Sequence, residues 1–218
     1  GDSIKINSDT SINVSGQYGG GTVLIGGGWQ GIGNLPQSRA LTMESGAKIN
    51  ADALVNGNGG QVVLRTDVSN PASLTSVDGS ITAKGGIVSG DGGNIETSGN
   101  VLKIANSLRV NTSASKGKSG LWLLDPVDVE IDLSTATSIQ NSLATGNVTV
   151  TTSGTGTATG DITVSSPVTW TKNQLSLEAN GDININAAMN AGAVDASNYA
   201  TLSLKAGYST PGSSGGTY

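Results

Sequence analysis

Gly120-Leu-Trp-Leu-Leu-Asp-Pro-Val-Asp-Val-Glu-Ile-Asp-Leu133 is the stretch whose pattern decides the fold. Val127, Val129, Ile131 and Leu133 alternate with Asp128, Glu130 and Asp132, a period of two that sends four aliphatic side chains to one face of an extended strand and three carboxylates to the other. Just upstream, Trp122 and Leu124 alternate with Leu121 and Leu123, so both faces are apolar until Asp125-Pro126. Proline lacks the N–H that a sheet ladder needs and biases its predecessor toward extended geometry, so this dipeptide is expected to form a corner between two strands.

Upstream of this block the same kind of couplet recurs with Gly-rich turns. Ile4 and Ile6, then Ile12 and Val14, precede Gly19-Gly-Gly21, Val23 and Ile25; Leu41, Met43, Ile49 and Ala51 precede Gly59-Gly60, Val62 and Leu64. Leu74, Ile81 and Ala83 precede Gly92-Gly93 and Ile95, and a looser copy runs from Leu108 and Val110 to Leu121 and Leu123. Measured at Ile12, Ile49, Ile81 and Leu108, the copies lie 37, 32 and 27 residues apart. Propeller blades demand equal size, whereas a solenoid tolerates loops of unequal length because only its short strands must match the turn beneath.

Downstream the pattern tightens. The couplets Val148/Val150, Ile162/Val164, Val168/Trp170, Leu175/Leu177, Ile183/Ile185 and Leu202/Leu204 each read apolar, polar, apolar. Gly146-Asn147, Gly160-Asp161 and Gly181-Asp182 open three of them as turns. The steps of 21 residues from Ile162 to Ile183 and 19 from Ile183 to Leu202 suggest a unit near twenty. The polar stretch 135–145 is expected to give one helical turn, and no longer helical periodicity is read anywhere. The reading is all-β, a right-handed parallel β-helix: one segment over residues 1–208 with a change of repeat style near 120–133, followed by a tail or linker at 209–218.

Composition fits a thin, repetitive core. The chain has 33 Gly, no Cys, no His and no Phe, with 3% aromatic and 12% charged residues. Its interior must therefore come from stacked Val, Ile, Leu and Ala. A net charge of −5 with eleven scattered basic residues argues against a nucleic-acid partner. The absence of Cys removes disulfides and thiolate metal sites, and suits an exported chain. No run approaches a membrane span and no charged-plus-apolar leader opens the sequence, so an exported protein would be represented here by a piece of its precursor.

The block Ser119-Gly-Leu-Trp-Leu-Leu-Asp-Pro-Val-Asp-Val129, followed by 141–150 and Gly160-Asp-Ile-Thr-Val164, resembles the repeat region of filamentous-haemagglutinin-like exoproteins, the large adhesins that Gram-negative bacteria secrete by the two-partner route. Gly19-Gly-Gly-Thr-Val-Leu-Ile-Gly-Gly-Gly-Trp-Gln-Gly31 and Asp91-Gly-Gly-Asn-Ile-Glu-Thr-Ser-Gly99 are similar to that family as well. The resemblance runs from Asp2 to Gly207. It implies a β-helical shaft, secretion or display at the cell surface, biofilm or cell adhesion through an extracellular glycan, matrix polysaccharide or surface receptor, and export by an outer-membrane transporter that reads a secretion domain. The Asn-Pro motifs of that domain are missing, the one Asn-Pro being Asn70-Pro71, which places this stretch after it. Because the family also contains cytolysins and contact-dependent toxins, the inert stalk of a toxin is an alternative.

Candidate sites are few. Asp128, Glu130 and Asp132 offer oxygen ligands, yet alternate residues on a strand stand roughly 7 Å apart, too far to share one cation, and a solvated face is expected. Gly90-Asp-Gly-Gly-Asn94 looks like one calcium-binding repeat without the tandem copies such a site needs, so it reads as a turn. No metal and no cofactor are expected. A carbohydrate-active enzyme on the same scaffold would need opposed carboxyls, for which Asp91 with Glu96 or Asp161 with Asp182 are the available pairs. Nothing around them predicts a cleft, no His-dependent triad is possible, and the expectation is a protein that is not an enzyme. Trp29, in its Gly-rich loop, is the tryptophan expected to be exposed and the candidate for ligand contact by stacking on a sugar ring, with loop anchoring or end-capping as the alternative reading, while Trp122 and Trp170 sit inside alternating strands and read as packed.

Overall fold

The computed structural model describes residues 2–154, 158–192 and 199–207, so the 209–218 tail lies outside the described residues. The strands come in sets of three. The first set is β1 (Ser3–Ile6), β2 (Ser11–Asn13) and β3 (Thr22–Ile25), followed by β4 (Ala40–Met43), β5 (Lys48–Asn50) and β6 (Gln61–Arg65). Then come β7 (Leu74–Val77), β8 (Ser80–Thr82) and β9 (Asn94–Gly99), and β10 (Val101–Ile104), β11 (Arg109–Asn111) and β12 (Leu121–Pro126). The fifth set is β13 (Val129–Ile131), a helix α1 (Leu133–Leu143) and β14 (Asn147–Thr151). The last two are β15 (Ile162–Val164), β16 (Val168–Trp170) and β17 (Asn173–Glu178), and β18 (Ile183–Ile185), β19 (Met189–Ala191) and β20 (Ala200–Lys205).

Every pairing among these strands is parallel, and each circuit adds one strand to each wall, except that the fifth supplies α1 in place of its second strand. The third strands form one sheet in the order β3-β6-β9-β12-β14-β17-β20. The first strands form β1-β4-β7-β10 and, separately, β13-β15-β18; the second strands form β2-β5-β8-β11 and β16-β19. In the long sheet Val23, Val62, Ile95, Trp122, Val148, Leu175 and Leu202 occupy one row, at spacings of 39, 33, 27, 26, 27 and 27 residues. This is an all-β architecture of parallel sheets around one core that runs from Ile6 to Ala179. Its inward positions are the aliphatic members of the couplets.

The twenty-residue unit does not hold. Ile162 and Ile183 are true neighbours, but Leu202 pairs with Leu175, so the 19-residue step compared strands in different sheets. The loops make up the difference, giving seven circuits among the described residues. Likewise Ile81 pairs with Val110 rather than lying level with Leu108.

The block around 120–133 also departs from its reading in two ways. Asp125-Pro126 is not a corner: both residues belong to β12, opposite Ser98 and Gly99, and the strand turns only afterwards. Pro126 is tolerated because pairing with β14 has already ended at Leu124. The helix is three turns, not one. Asp132 caps it by accepting from the Thr135 N–H at 2.8 Å, and Ala136, Ile139 and Leu143 are buried on one stripe. Its Ser and Thr hydroxyls bond back to carbonyls, Thr137 to Leu133 and Ser142 to Ser138, so these poor helix formers keep their polar groups satisfied. Burial against β11 and β16 overrides propensity here. α1 stands where the second strand of the fifth circuit would be, which is why that wall divides into two sheets.

Candidate functional site

On the outer face of the long sheet three ionisable side chains meet. The alternation of β6, β9 and β12 points Val62, Leu64, Ile95, Trp122 and Leu124 inward, leaving Val63, Arg65, Glu96, Leu123 and Asp125 on the opposite face. That face is not open to solvent: the Arg65 and Glu96 side chains are 4% and 0% exposed. Arg65 Nη1 donates to Glu96 Oε1 at 2.6 Å and lies 3.4 Å from Asp125 Oδ2. Ser98 Oγ donates to Glu96 Oε1 at 2.5 Å, and the other carboxylate oxygen, Oε2, accepts from the Gln30 backbone N–H at 2.7 Å. The Arg65 Nε is buried without a partner among the described residues.

The cover is the Gly-rich loop that follows β3. A Cβ added at Gly27 would stand 2.9 Å from Arg65 Cδ, and one at Gly31 would stand 3.1 Å from Arg65 Nη2, so glycine lets this backbone lie directly on the arginine. Gly31 has φ +74° and Gln30 has φ +50°, and that left-handed step aims the Gln30 N–H at Glu96. Trp29 opens the short 3-10 turn Trp29–Gly31 and is half-buried, held by the loop rather than projecting freely. Further along the same loop Ile32 is 74% exposed, and Leu35 lines a shallow groove together with Leu24 of β3. The site is therefore a loop that carries one half-buried indole and exposed aliphatic side chains above a buried ion cluster. A comparison with family models and with curated proteins finds no match.

The cluster is electrostatically unbalanced, with two carboxyls sharing one guanidinium. Burial raises the Asp125 carboxyl from its ordinary 3.8 to about 6; Arg65 opposes the rise and Glu96 adds to it. A carboxyl with a raised folded-state pKa stabilises the fold fully below 3.8 and loses that contribution as pH rises through about 6. Asp125→Asn is thus expected to raise stability at pH 8 by about 2 to 3 kcal/mol, and by far less at pH 4.5. Urea titrations at the two pH values check this; an equal effect at both would show that charge is not what the substitution relieves.

The other candidates sit apart from this site. Asp128 accepts from the Gly160 and Asp161 N–H groups, Glu130 from Ser165 Oγ, and Asp132 caps α1, so each carboxylate of the acidic row serves its own turn. Asp91 accepts from the Lys118 N–H on the next circuit, a stacking contact between turns. Asp161 and Asp182 do adjoin, with the Asp182 N–H donating to Asp161 Oδ1 at 2.8 Å. The Asp161 carboxyl is held below its ordinary range by the Thr159 hydroxyl and then by that N–H, the reverse of what a general acid needs. Trp122 is fully buried and donates to Thr97 Oγ1, and Trp170 is buried as well.

Sequence reasoning did not single out Arg65 or Asp125. A signal was there: Val63 and Leu123 are apolar at outward positions, which requires something to cover that face, and Arg65 lies two residues from the first of them.

Proposed function

We propose that this chain is a stretch of right-handed parallel β-helix serving as the adhesive shaft of a secreted or cell-surface filamentous adhesin. The observation that carries the reading is the unbroken register of the seven-stranded sheet above a single continuous core. Such a stack is stiff along its axis, because each rung is tied to the next by main-chain hydrogen bonds and aliphatic contact. Reach and repetition are what it supplies, and many weak contacts along a shaft add up to avidity. An extracellular glycan, a matrix polysaccharide or a surface receptor is the partner class, and the loop that carries Trp29 is where an indole is offered to it. Export would use an outer-membrane transporter acting on a secretion domain outside this stretch.

The paired carboxyls of the cluster do not favour hydrolysis, since Glu96 is fully buried and bonded to Arg65, Ser98 and Gln30. A glycan array combined with a reducing-sugar assay tests the proposal. Binding without turnover is expected, and Trp29→Ala should weaken it by about tenfold, the loss of one sugar-stacking contact of roughly 1 to 1.5 kcal/mol. Release of reducing ends would replace the adhesive reading with an enzymatic one, and undiminished binding by the variant would move the contact away from Trp29.

A further inference from the structure

The wall formed by the first strands is open between the fourth and fifth circuits. Among the described residues β10 pairs only with β7 and β13 only with β15, although the two belong to consecutive circuits. At one end Val127 N–H still reaches the Asn100 carbonyl at 3.5 Å, and at the other the first turn of α1 closes the gap. Between them lies a slot of about 570 Å³, within the range of pockets that hold a small ligand or a few residues of peptide. Its origin follows from the helix: α1 is about 10 Å across where a strand would need about 4.8 Å, so the circuits it separates cannot stay paired on the adjoining wall.

Two sheet edges face each other across the slot. Val101 and Ala105 donate to Ser73 and Val77 on the β7 side, so by alternation the N–H and C=O of Leu102 and Ile104 point into the opening. From the opposite edge Val129 donates to Asp161 and Ile131 accepts from Ser165, which leaves the N–H and C=O of Glu130 pointing in. The floor is core. Leu102 and Val129 are only half-buried, whereas Leu41 and Ile162, at inward positions of intact rungs in the same walls, are fully buried. The rim is acidic: Asp128 and Glu130 are exposed and form no ion pair among the described residues, with Asp132 beside them and Lys103 as the cation on the facing strand.

We infer that this slot accepts an extended segment of a partner polypeptide, which enters as an additional strand between β10 and β13 and alternates aliphatic with basic residues. Main-chain groups presented at the strand repeat match a polypeptide backbone, which can donate and accept on both sides. Inward side chains complete the Leu102 and Val129 floor. Outward ones stand beside Asp128 and Glu130, where Lys or Arg is attracted and Asp or Glu repelled. A segment with proline at its centre lacks the N–H the edge requires.

The test uses three synthetic octapeptides, one alternating Ile with Lys, one alternating Ile with Glu, and the first with a central proline. Hydrogen exchange read residue by residue should show the Leu102, Ile104 and Glu130 amides exchanging freely in the protein alone and slowing at least about tenfold with the Ile/Lys peptide. Glu130→Lys, an outward substitution whose folding is checked by its melting temperature, should weaken that binding by about tenfold. The inference is overturned if those amides are already protected without peptide, if millimolar Ile/Lys peptide leaves them unchanged, if the Ile/Glu or proline peptide protects them equally well, or if the well-folded Glu130→Lys protein binds as before.

Discussion

Arg65→Ala is expected to lower stability by about 3 to 5 kcal/mol, because it strands the fully buried Glu96 carboxylate without its cation. The substitution also withdraws the side chain on which Gly27 and Gly31 rest, so the loop carrying Trp29 should loosen together with the sheet beneath it. For a chain of this length the melting temperature should fall by roughly 10 °C or more. The triple variant Arg65→Met, Glu96→Gln, Asp125→Asn separates the two contributions. Removing the cation and both carboxylates it serves, while keeping bulk and the acceptor for Gln30, should recover most of the loss, since ion pairs taken from water gain little over neutral pairs but are costly to leave half made. If the single variant melts within a degree or two of the parent, the pair is not the strut the geometry makes it.

The same cluster shows where sequence was legible and where it was not. Inward couplets such as Val62/Leu64 and Ile162/Val164 are written locally, because a period of two with aliphatic members fixes the face that each residue takes. Which couplets stack on which is not local. Ile183 and Leu202 look like consecutive rungs and lie on different walls, because loop length, which sets the circuit, leaves no period of its own. The helix was read too short for a related reason. Ser and Thr at 134, 137, 138 and 142 argue against it locally, while the stripe Ala136, Ile139 and Leu143 has value only against β11 and β16. Arg65 and Asp125 lie 60 residues apart and share an outer face that exists only because a third segment covers it. For Trp29 the sequence indicated the loop; the structure adds that the loop is clamped through Gln30 to Glu96 and so presents the indole from a fixed base.

Gly93→Ala should cost about 3 kcal/mol or more, although it adds a single methyl group in a backbone conformation any residue can adopt. The reason is a column of glycines at the corner before the long sheet. The N–H of the residue after each glycine bonds to the carbonyl of the glycine one circuit back: Gln61 to Gly21, Asn94 to Gly60, Leu121 to Gly93 and Asn147 to Gly120. That bond draws each glycine down onto the backbone of the circuit beneath, and a Cβ at Gly93 would fall against the Gly60 carbonyl and stand 2.6 Å from the Gly59 carbonyl carbon. Backbone meets backbone there, so no rotamer change relieves the clash; the rungs must separate or lose the bond, placing this beyond the usual 1 to 3 kcal/mol of an overpacked side chain. Gly192→Ala is the matched control, with nothing among the described residues nearer than Thr171 Cγ2 at 3.7 Å, and should stay within about 0.5 kcal/mol of the parent. Denaturant midpoints for the two variants compare them directly. Equal midpoints would mean that the circuits tolerate a wider spacing at this corner, and the glycine pairs would then be relics of turn chemistry; a large difference would make them the feature that sets how closely successive circuits can pack.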